Sequence, residues 1–337
     1  MSAGGSQQRE VVAVTGASAG VGRAVAHAFA RRGAKVGLIA RGAEGLEGAA
    51  REVRELGGEA FVAPADVADF AALSDAAAAI EERFGPLDVW VNDAMATIFA
   101  PIGKVTPGEF ERATAVTYLG TVHGTMVALE RMRSRERGTI VQVGSALSYR
   151  AIPLQAAYCG AKFAIRGFTD SVRTELLHEG SPVWISMVQL PALNTPQFDW
   201  CRTRLPEHPQ PVPPIYQPEV AAEAVHFAAH NRRREVWAGY GAVKAIVANK
   251  LAPRIADWYL ARQGYGSQQV EGQPVPDDRP DNLFEPVPGK AATHGSFDAR
   301  AKPASAQLWA TMHRRLLAGG GAAGAALVAA LAARSRR

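Results

Sequence analysis

The chain alternates short apolar runs with longer stretches in which apolar residues recur every three or four positions. The first run is Val11-Val-Ala-Val-Thr15, followed by a glycine-rich turn and a helical stretch that ends near Gly33. Lys35-Val-Gly-Leu-Ile-Ala40 is the second run, and further β-type runs fall at 60–64, 87–92, 139–143, 183–190 and 235–238. Helical patterning fills the intervals at 44–56, 69–84 and 106–133, on a segment reaching about 178, and at 218–231. Thr106-Pro-Gly-Glu109 reads as a capping box with proline at the first helical position. Strict alternation of strand and helix predicts an α/β fold: a doubly wound, Rossmann-type parallel sheet of seven strands with helices on both faces. In such a sheet the ligand sits outside the carboxyl ends of the strands.

The pattern weakens towards the C-terminus. Residues 206–218 contain six prolines and are expected to form a shaped loop, not an element. Residues 242–263 predict one or two amphipathic helices, interrupted at Pro253. Segment 264–305 is rich in Gly, Pro, Asp and Gln with few large apolar residues, the composition of a mobile or surface-draped extension. The expected organisation is a flexible start (1–8), one main domain (9–263), the extension (264–305) and a basic, Ala/Gly-rich tail (306–337).

Composition changes the picture in two places. The net charge of +5 over 337 residues belongs to the tail: residues 301–337 hold six Lys/Arg and no Asp or Glu. The rest is nearly neutral, so no basic stripe argues for nucleic acid. With two cysteines, Cys159 and Cys201, neither a disulfide framework nor a metal site is expected. The N-terminus has no apolar run of the secretory kind, and a reducing cytoplasmic setting fits both features. Leu316–Ala333 is an eighteen-residue stretch without charge, flanked by arginines and preceded by Trp309. As a helix it would reach roughly 27 Å, near the ~30 Å of a hydrocarbon core. Its four-glycine content and the three closing arginines favour association with a membrane surface through 309–337 over spanning.

Candidate chemistry lies in two places. Gly16-Ala-Ser-Ala-Gly20-Val-Gly22, after a strand and before a helix, has the context of a phosphate-binding loop. The second strand is followed by Arg41, where an acid would hold the 2′-hydroxyl of NAD; an arginine suits the 2′-phosphate of NADP. The expected cofactor is therefore NADP(H), with NAD(H) as the alternative. Ser145 follows the fifth run, and Tyr158 and Lys162 stand one helical turn apart thirteen residues later. An ammonium about 4 Å from a phenol, at an effective dielectric of ~20, favours the phenolate by roughly 4 kcal/mol, nearly ~3 pKa units. A hydroxyl, a tunable phenol and a lysine together bind and protonate a carbonyl.

These residues resemble the short-chain dehydrogenase/reductase family over about residues 9–240. Thr15-Gly-Ala-Ser-Ala-Gly-Val-Gly22 is similar to its nucleotide motif, which implies cofactor contacts from Thr15, Gly16, Ser18, Gly20, Val21 and Gly22. Asp66-Val67 resembles the pair that meets the adenine. By the resemblance Tyr158 is the general acid/base, Ser145 orients the carbonyl, and Lys162 holds the nicotinamide ribose and lowers the tyrosine pKa. Asn92-Asp-Ala-Met95 stands where the family has Asn-Asn-Ala-Gly, placing Asn92 and Ala94 at the cofactor and a side chain, Met95, where glycine leaves room. Thr117 takes the place of an asparagine that completes a proton relay, working largely through a main-chain carbonyl. Thr195, in Pro191-Ala-Leu-Asn-Thr195, matches the residue that contacts the carboxamide or diphosphate. Leu147, Tyr149, Leu193 and Phe198, together with Met95, Trp200 and Tyr216, are the expected walls of an apolar substrate pocket.

The resemblance implies hydride transfer between the nicotinamide and a carbonyl or secondary alcohol, and a homo-oligomer built on the helices around 106–133 and 155–178. Two other readings are a non-catalytic NADP-binding sensor or scaffold and a membrane-surface reductase of a lipid-like substrate.

Overall fold

A computed structural model describes residues 9–317 except 290 and 315. Seven strands, β1 (Val11–Thr15), β2 (Lys35–Ala40), β3 (Glu59–Pro64), β4 (Val89–Asn92), β5 (Thr139–Ser145), β6 (Trp184–Leu190) and β7 (Glu235–Trp237), form one sheet in the order β7-β6-β5-β4-β1-β2-β3. Every neighbouring pair is parallel. Strand order reverses between β1 and β4, so the carboxyl ends of these two strands open the crevice where such sheets take ligand.

The longer helices are α1 (Gly20–Ala30), α2 (Ala43–Glu55), α3 (Phe70–Phe84), α4 (Pro107–Thr114), α5 (Gly120–Arg133), α6 (Ala156–His178), α7 (Pro218–His230), α8 (Tyr240–Leu251) and α9 (Pro253–Gln263). They bury both faces of the sheet. Val12 and Val14 face the layer of α1, α2 and α7, with Phe29, Leu46 and Val225. Val11 and Ala13 face the layer of α3, α5 and α6, with Leu73, Ile80, Val127 and Leu176. Successive strand residues point to opposite faces, so burial on both sides produces the unbroken apolar runs seen in the sequence.

The capping box at α4 is present: Thr106 accepts from the Glu109 amide, and the Glu109 carboxylate accepts from the Thr106 amide. The same carboxylate takes Arg202 and Arg204, each at 2.6 Å, and these contacts hold it down at about 2. A helix start thereby anchors the chain after β6. Between α4 and α5 a π-helical turn, Ala115–Leu119, shifts the register of the helix beside the sheet.

Three expectations change. β4 begins at Val89, because the Asp88 carboxylate is taken by the Val11 amide at 3.1 Å. β5 continues through Gly144 to Ser145, so the serine is the last strand residue. The proline-rich stretch holds a short strand, Glu207–Pro209, paired antiparallel with Gln269–Pro274. Beyond that pair the extension lies along the body and sends Leu283 and Phe297 into it, both buried. The apolar stretch 316–333 lies, apart from its first two residues, outside the described residues. Among those described, no helix is long and apolar enough to cross a membrane.

Candidate active site

The turn after β1 is built for close approach. Gly16 has φ +74, and a side chain there would stand 2.9 Å from the Ala94 Cα; one at Gly22 would stand 2.4 Å from the Gly16 carbonyl oxygen. Ala19 gives α1 no side-chain cap, so the first amides of the helix are left for an external acceptor. The acceptor present is the Ala292 carbonyl of the extension, 2.9 Å from the Gly20 amide. Thr195 packs against Gly20: a side chain added there would meet the Thr195 Cβ at 3.3 Å.

Two expected cofactor contacts have their side chains engaged elsewhere. The Thr15 hydroxyl donates to the Val91 carbonyl and accepts from the Asp93 and Ala94 amides at 3.0 and 3.2 Å, tying β1 to the end of β4. The Asn92 side chain lies inside the α5 layer, where it accepts from Trp90 Nε1 at 2.8 Å and donates to Gln142 and Thr125. A buried polar group satisfied on all sides has no capacity left for a ligand.

The residues expected on the adenine side lie near one another. Val67 is buried, and Asp66 pairs with Arg112, a partner the sequence reading missed. Arg41 is half-buried and donates to the carbonyls of Asn282 at 2.6 Å and Phe284 at 2.5 Å. Arg112 donates from Nε to the carbonyl between them, Leu283, at 3.1 Å.

At the other end of the crevice, Ser145, Tyr158 and Lys162 meet. The Ser145 hydroxyl accepts from the Leu147 amide at 3.1 Å and stands beside Tyr158, which lies in the first turn of α6. Lys162 is buried, and its ammonium donates to the Val143 carbonyl at 2.6 Å. It lies 5.5 Å from the centroid of the Tyr158 ring. The expected drop in the phenol pKa by an ammonium at the hydroxyl is not what this arrangement produces. Burial raises Tyr158 above its ordinary value, the Ser145 hydroxyl opposes that rise, and the charges of Cys159 and Asp93 add to it.

The charge that acts on the ammonium is that of Asp93, at longer range than an ion pair. Burial pushes the Asp93 carboxyl up to about 7, against the pull of Lys162; burial brings Lys162 down to about 8, against the pull of Asp93. Asp93 also lies beside the glycine turn, its Oδ2 2.9 Å from where a Gly22 side chain would begin. The signal was present in the sequence, since Asp93 stands where the resemblance has asparagine, but the reading weighed only its neighbour Met95.

Thr117 is fully buried in the π-helical turn. Its hydroxyl donates to the Ala96 carbonyl and accepts from the Ala96 amide, both at 2.9 Å, pinning the segment after β4. The Thr117 carbonyl accepts from Thr121 Oγ1 at 3.0 Å.

The expected substrate walls separate. Phe198 joins Phe99, Leu154, Leu205 and Ile215 in an aromatic-aliphatic cluster, with Phe297 of the extension edge-on to it at 5.8 Å between centroids. Leu147 is half-buried next to Ser145. Tyr149 is turned away: its hydroxyl donates to the Glu235 carboxylate and its ring lies 3.8 Å from the Arg166 guanidinium carbon. Leu193 and Tyr216 belong to the main core on the α1 side.

Comparison with known proteins agrees with this geometry. The sequence model of the family described as short chain dehydrogenase matches residues 10–203. Uncharacterized oxidoreductase YxnA of Bacillus subtilis is 33% identical over 264 residues, 78% of this chain and 74% of the relative. Dehydrogenase/reductase SDR family member 7 of Homo sapiens is 34% identical over 170 residues, with half of each chain covered (49% and 50%). Among solved structures, an alcohol dehydrogenase from the archaeon Thermococcus sibiricus complexed with 5-hydroxy-NADP aligns with TM-score 0.60 at 27% identity. That alignment covers 68% of this chain and 95% of the solved one. A variant actinorhodin polyketide ketoreductase with NADPH aligns with TM-score 0.61 at 25% identity, covering 69% and 96%. The chain is an oxidoreductase of the short-chain dehydrogenase family.

Proposed function

We propose that this chain transfers a hydride between NADP(H) and a carbonyl or secondary alcohol of a hydrophobic substrate, with Tyr158 as the general acid/base. The observation that carries the reading is the meeting of Ser145, Tyr158 and Lys162 at the carboxyl end of β5, in the same crevice as the glycine turn after β1. The residues fit a dinucleotide: the turn leaves no room for side chains, the α1 amides lack a cap, and Arg41 stands at the end of β2. The nicotinamide, when bound, supplies or accepts the hydride.

The chain's own residues do the rest. Ser145 orients the substrate oxygen by a hydrogen bond, and Tyr158 gives that oxygen its proton in reduction or removes it in oxidation. Lys162 holds the nicotinamide ribose and keeps positive charge beside the phenol. Thr117 holds the loop after β4 in place through its paired contacts with Ala96. The cluster around Phe99, Phe198 and Ile215, beside the segment leading into α6, favours an apolar substrate. Relatives described as an alcohol dehydrogenase and a ketoreductase, with NADP-type cofactors, support the same chemistry.

The test is cofactor oxidation over a panel of ketones, aldehydes and quinones, run in parallel with NADPH and NADH. Turnover with NADPH is expected to exceed that with NADH. Arg41→Asp is expected to lower the NADPH/NADH ratio of kcat/KM by about 10- to 100-fold, since a hydrogen bond to a charged group contributes ~1.5–3 kcal/mol. A wild-type preference for NADH would overturn the role of Arg41, and no turnover of any carbonyl with either cofactor would favour a non-catalytic binder.

A further inference from the structure

The segment from Asn282 to Phe297 follows the nucleotide crevice from end to end. At the adenine end, Leu283 is fully buried in the layer that holds Val67 and Val116, with Ala94 at its edge. The carbonyls on either side of it accept from Arg41, and its own accepts from Arg112. Pro286 then lies against Gly42, and the Gly289 amide donates to Glu44 at 3.3 Å. At the glycine turn the Ala291 carbonyl accepts from Arg23 at 3.0 Å and the Ala292 carbonyl from the Gly20 amide at 2.9 Å. At the far end Gly295 abuts the Thr195 carbonyl, the Phe297 amide donates to Asn194 Oδ1, and the Phe297 ring fills the cluster with Phe99 and Phe198.

Four of these contacts correspond, in the same order along the crevice, to ones that a dinucleotide would make. A leucine stands in for the base, and two carbonyls on Arg41 stand in for the 2′-phosphate. A carbonyl on an uncapped helix amide stands in for a diphosphate oxygen, and a phenylalanine stands in for apolar substrate. Among the described residues, the segment has no strand or helix between Val275 and Phe297, so the crevice supplies the bonds that hold it there. Alignments covering 95–96% of the solved relatives use only 68–69% of this chain, so roughly a third of it has no counterpart in them.

We propose, resting on the NADP(H) reading above, that the extension 282–297 is a built-in occupant of the cofactor crevice that the dinucleotide must displace in order to bind. The Gly20 amide cannot serve two acceptors at full strength, and the space taken by Leu283 cannot also hold a base. The phosphates can win because a charge-assisted bond to Arg41 or to a helix N-terminus is stronger than one to a neutral carbonyl. Until they do, the apparent affinity is reduced by the fraction of molecules with the crevice open.

The test uses the full chain, with NADPH binding read by fluorescence titration and the extension by hydrogen–deuterium exchange. Leu283→Ser removes the buried anchor without touching a residue of the crevice wall, and NADPH is expected to bind it at least about tenfold more tightly than wild type. In wild type, saturating NADPH is expected to raise amide exchange across 282–297 while lowering it in the glycine turn. Equal affinity in the folded variant, or unchanged or greater protection of 282–297 with NADPH bound, overturns the proposal and leaves the cofactor reading standing. If Leu283→Ser fails to fold, the wild-type exchange decides alone. Absence of NADPH binding to both proteins overturns the cofactor reading itself, and this inference with it.

Discussion

Tyr158→Phe is expected to lower kcat by about 10²- to 10⁴-fold while leaving NADPH affinity within a small factor of wild type. The substitution removes one oxygen at the mouth of the crevice and keeps the ring, so the packing of Lys162 over that ring survives. What it removes is the proton transfer to the substrate oxygen, an interaction made only on the way to the transition state. A loss of that kind appears in kcat and kcat/KM alike. The phenol sits above its ordinary pKa through burial, so without ligand it is held firmly protonated. The proton is therefore in place for transfer to a carbonyl, but the raised value makes it harder to give up, so the phenol has to be brought down towards the working pH as cofactor and substrate bind. Steady-state kinetics in both directions, with cofactor titration on the same preparation, checks each part. Turnover near wild type in Tyr158→Phe would remove the tyrosine from the mechanism.

The sheet was legible because its inner strands are buried on both faces, which forces apolar residues at consecutive positions. Val11–Thr15 and Lys35–Ala40 could be read to the residue for that reason. Boundaries failed where a side chain replaced a ladder bond, as Asp88 does before β4. The three residues at the end of β5 and the start of α6 were legible from spacing alone, since helix geometry places Tyr158 and Lys162 on one face. The direction in which the Lys162 ammonium points was not, because it depends on the Val143 carbonyl, which β5 brings alongside α6. The engagement of Thr15 and Asn92 in the fold was hidden for the same reason: their partners Val91, Gln142 and Thr125 are distant in sequence or on other elements. The course of 282–297 left almost no sequence signal. Its contacts are mostly main-chain carbonyls, which every residue type carries, and its anchors are two single apolar residues, Leu283 and Phe297, in a polar stretch.

Lys162→Met is expected to abolish turnover and weaken NADPH binding, and also to change how stability depends on pH. In wild type the folded Asp93 value of about 7 lies above the ordinary 3.8, so between these values the folded chain keeps a proton that the unfolded chain has released. Stability falls as pH rises through that window. Lys162, at about 8 when folded and 10.5 ordinarily, gives the opposite slope, and stability recovers as pH rises from 8 towards 10.5. The pair is therefore least favourable between neutrality and mild alkalinity. Methionine keeps the volume but removes the ammonium that draws Asp93 down, so the carboxyl rises further and the alkaline recovery disappears. Without the nearby ammonium the Asp93 carboxylate is costlier to ionise, and protonation relieves that cost at lower pH. The variant should then lie near wild type at about pH 6 and well below it at about pH 9 by urea unfolding. Asp93→Asn should do the reverse: it removes the acid-side fall and leaves Lys162 without the carboxylate that raises it, so the lysine becomes neutral earlier as pH rises. Wild-type pH profiles in both variants would show that the two groups do not act on one another, and the ammonium would then be free to act on Tyr158 directly.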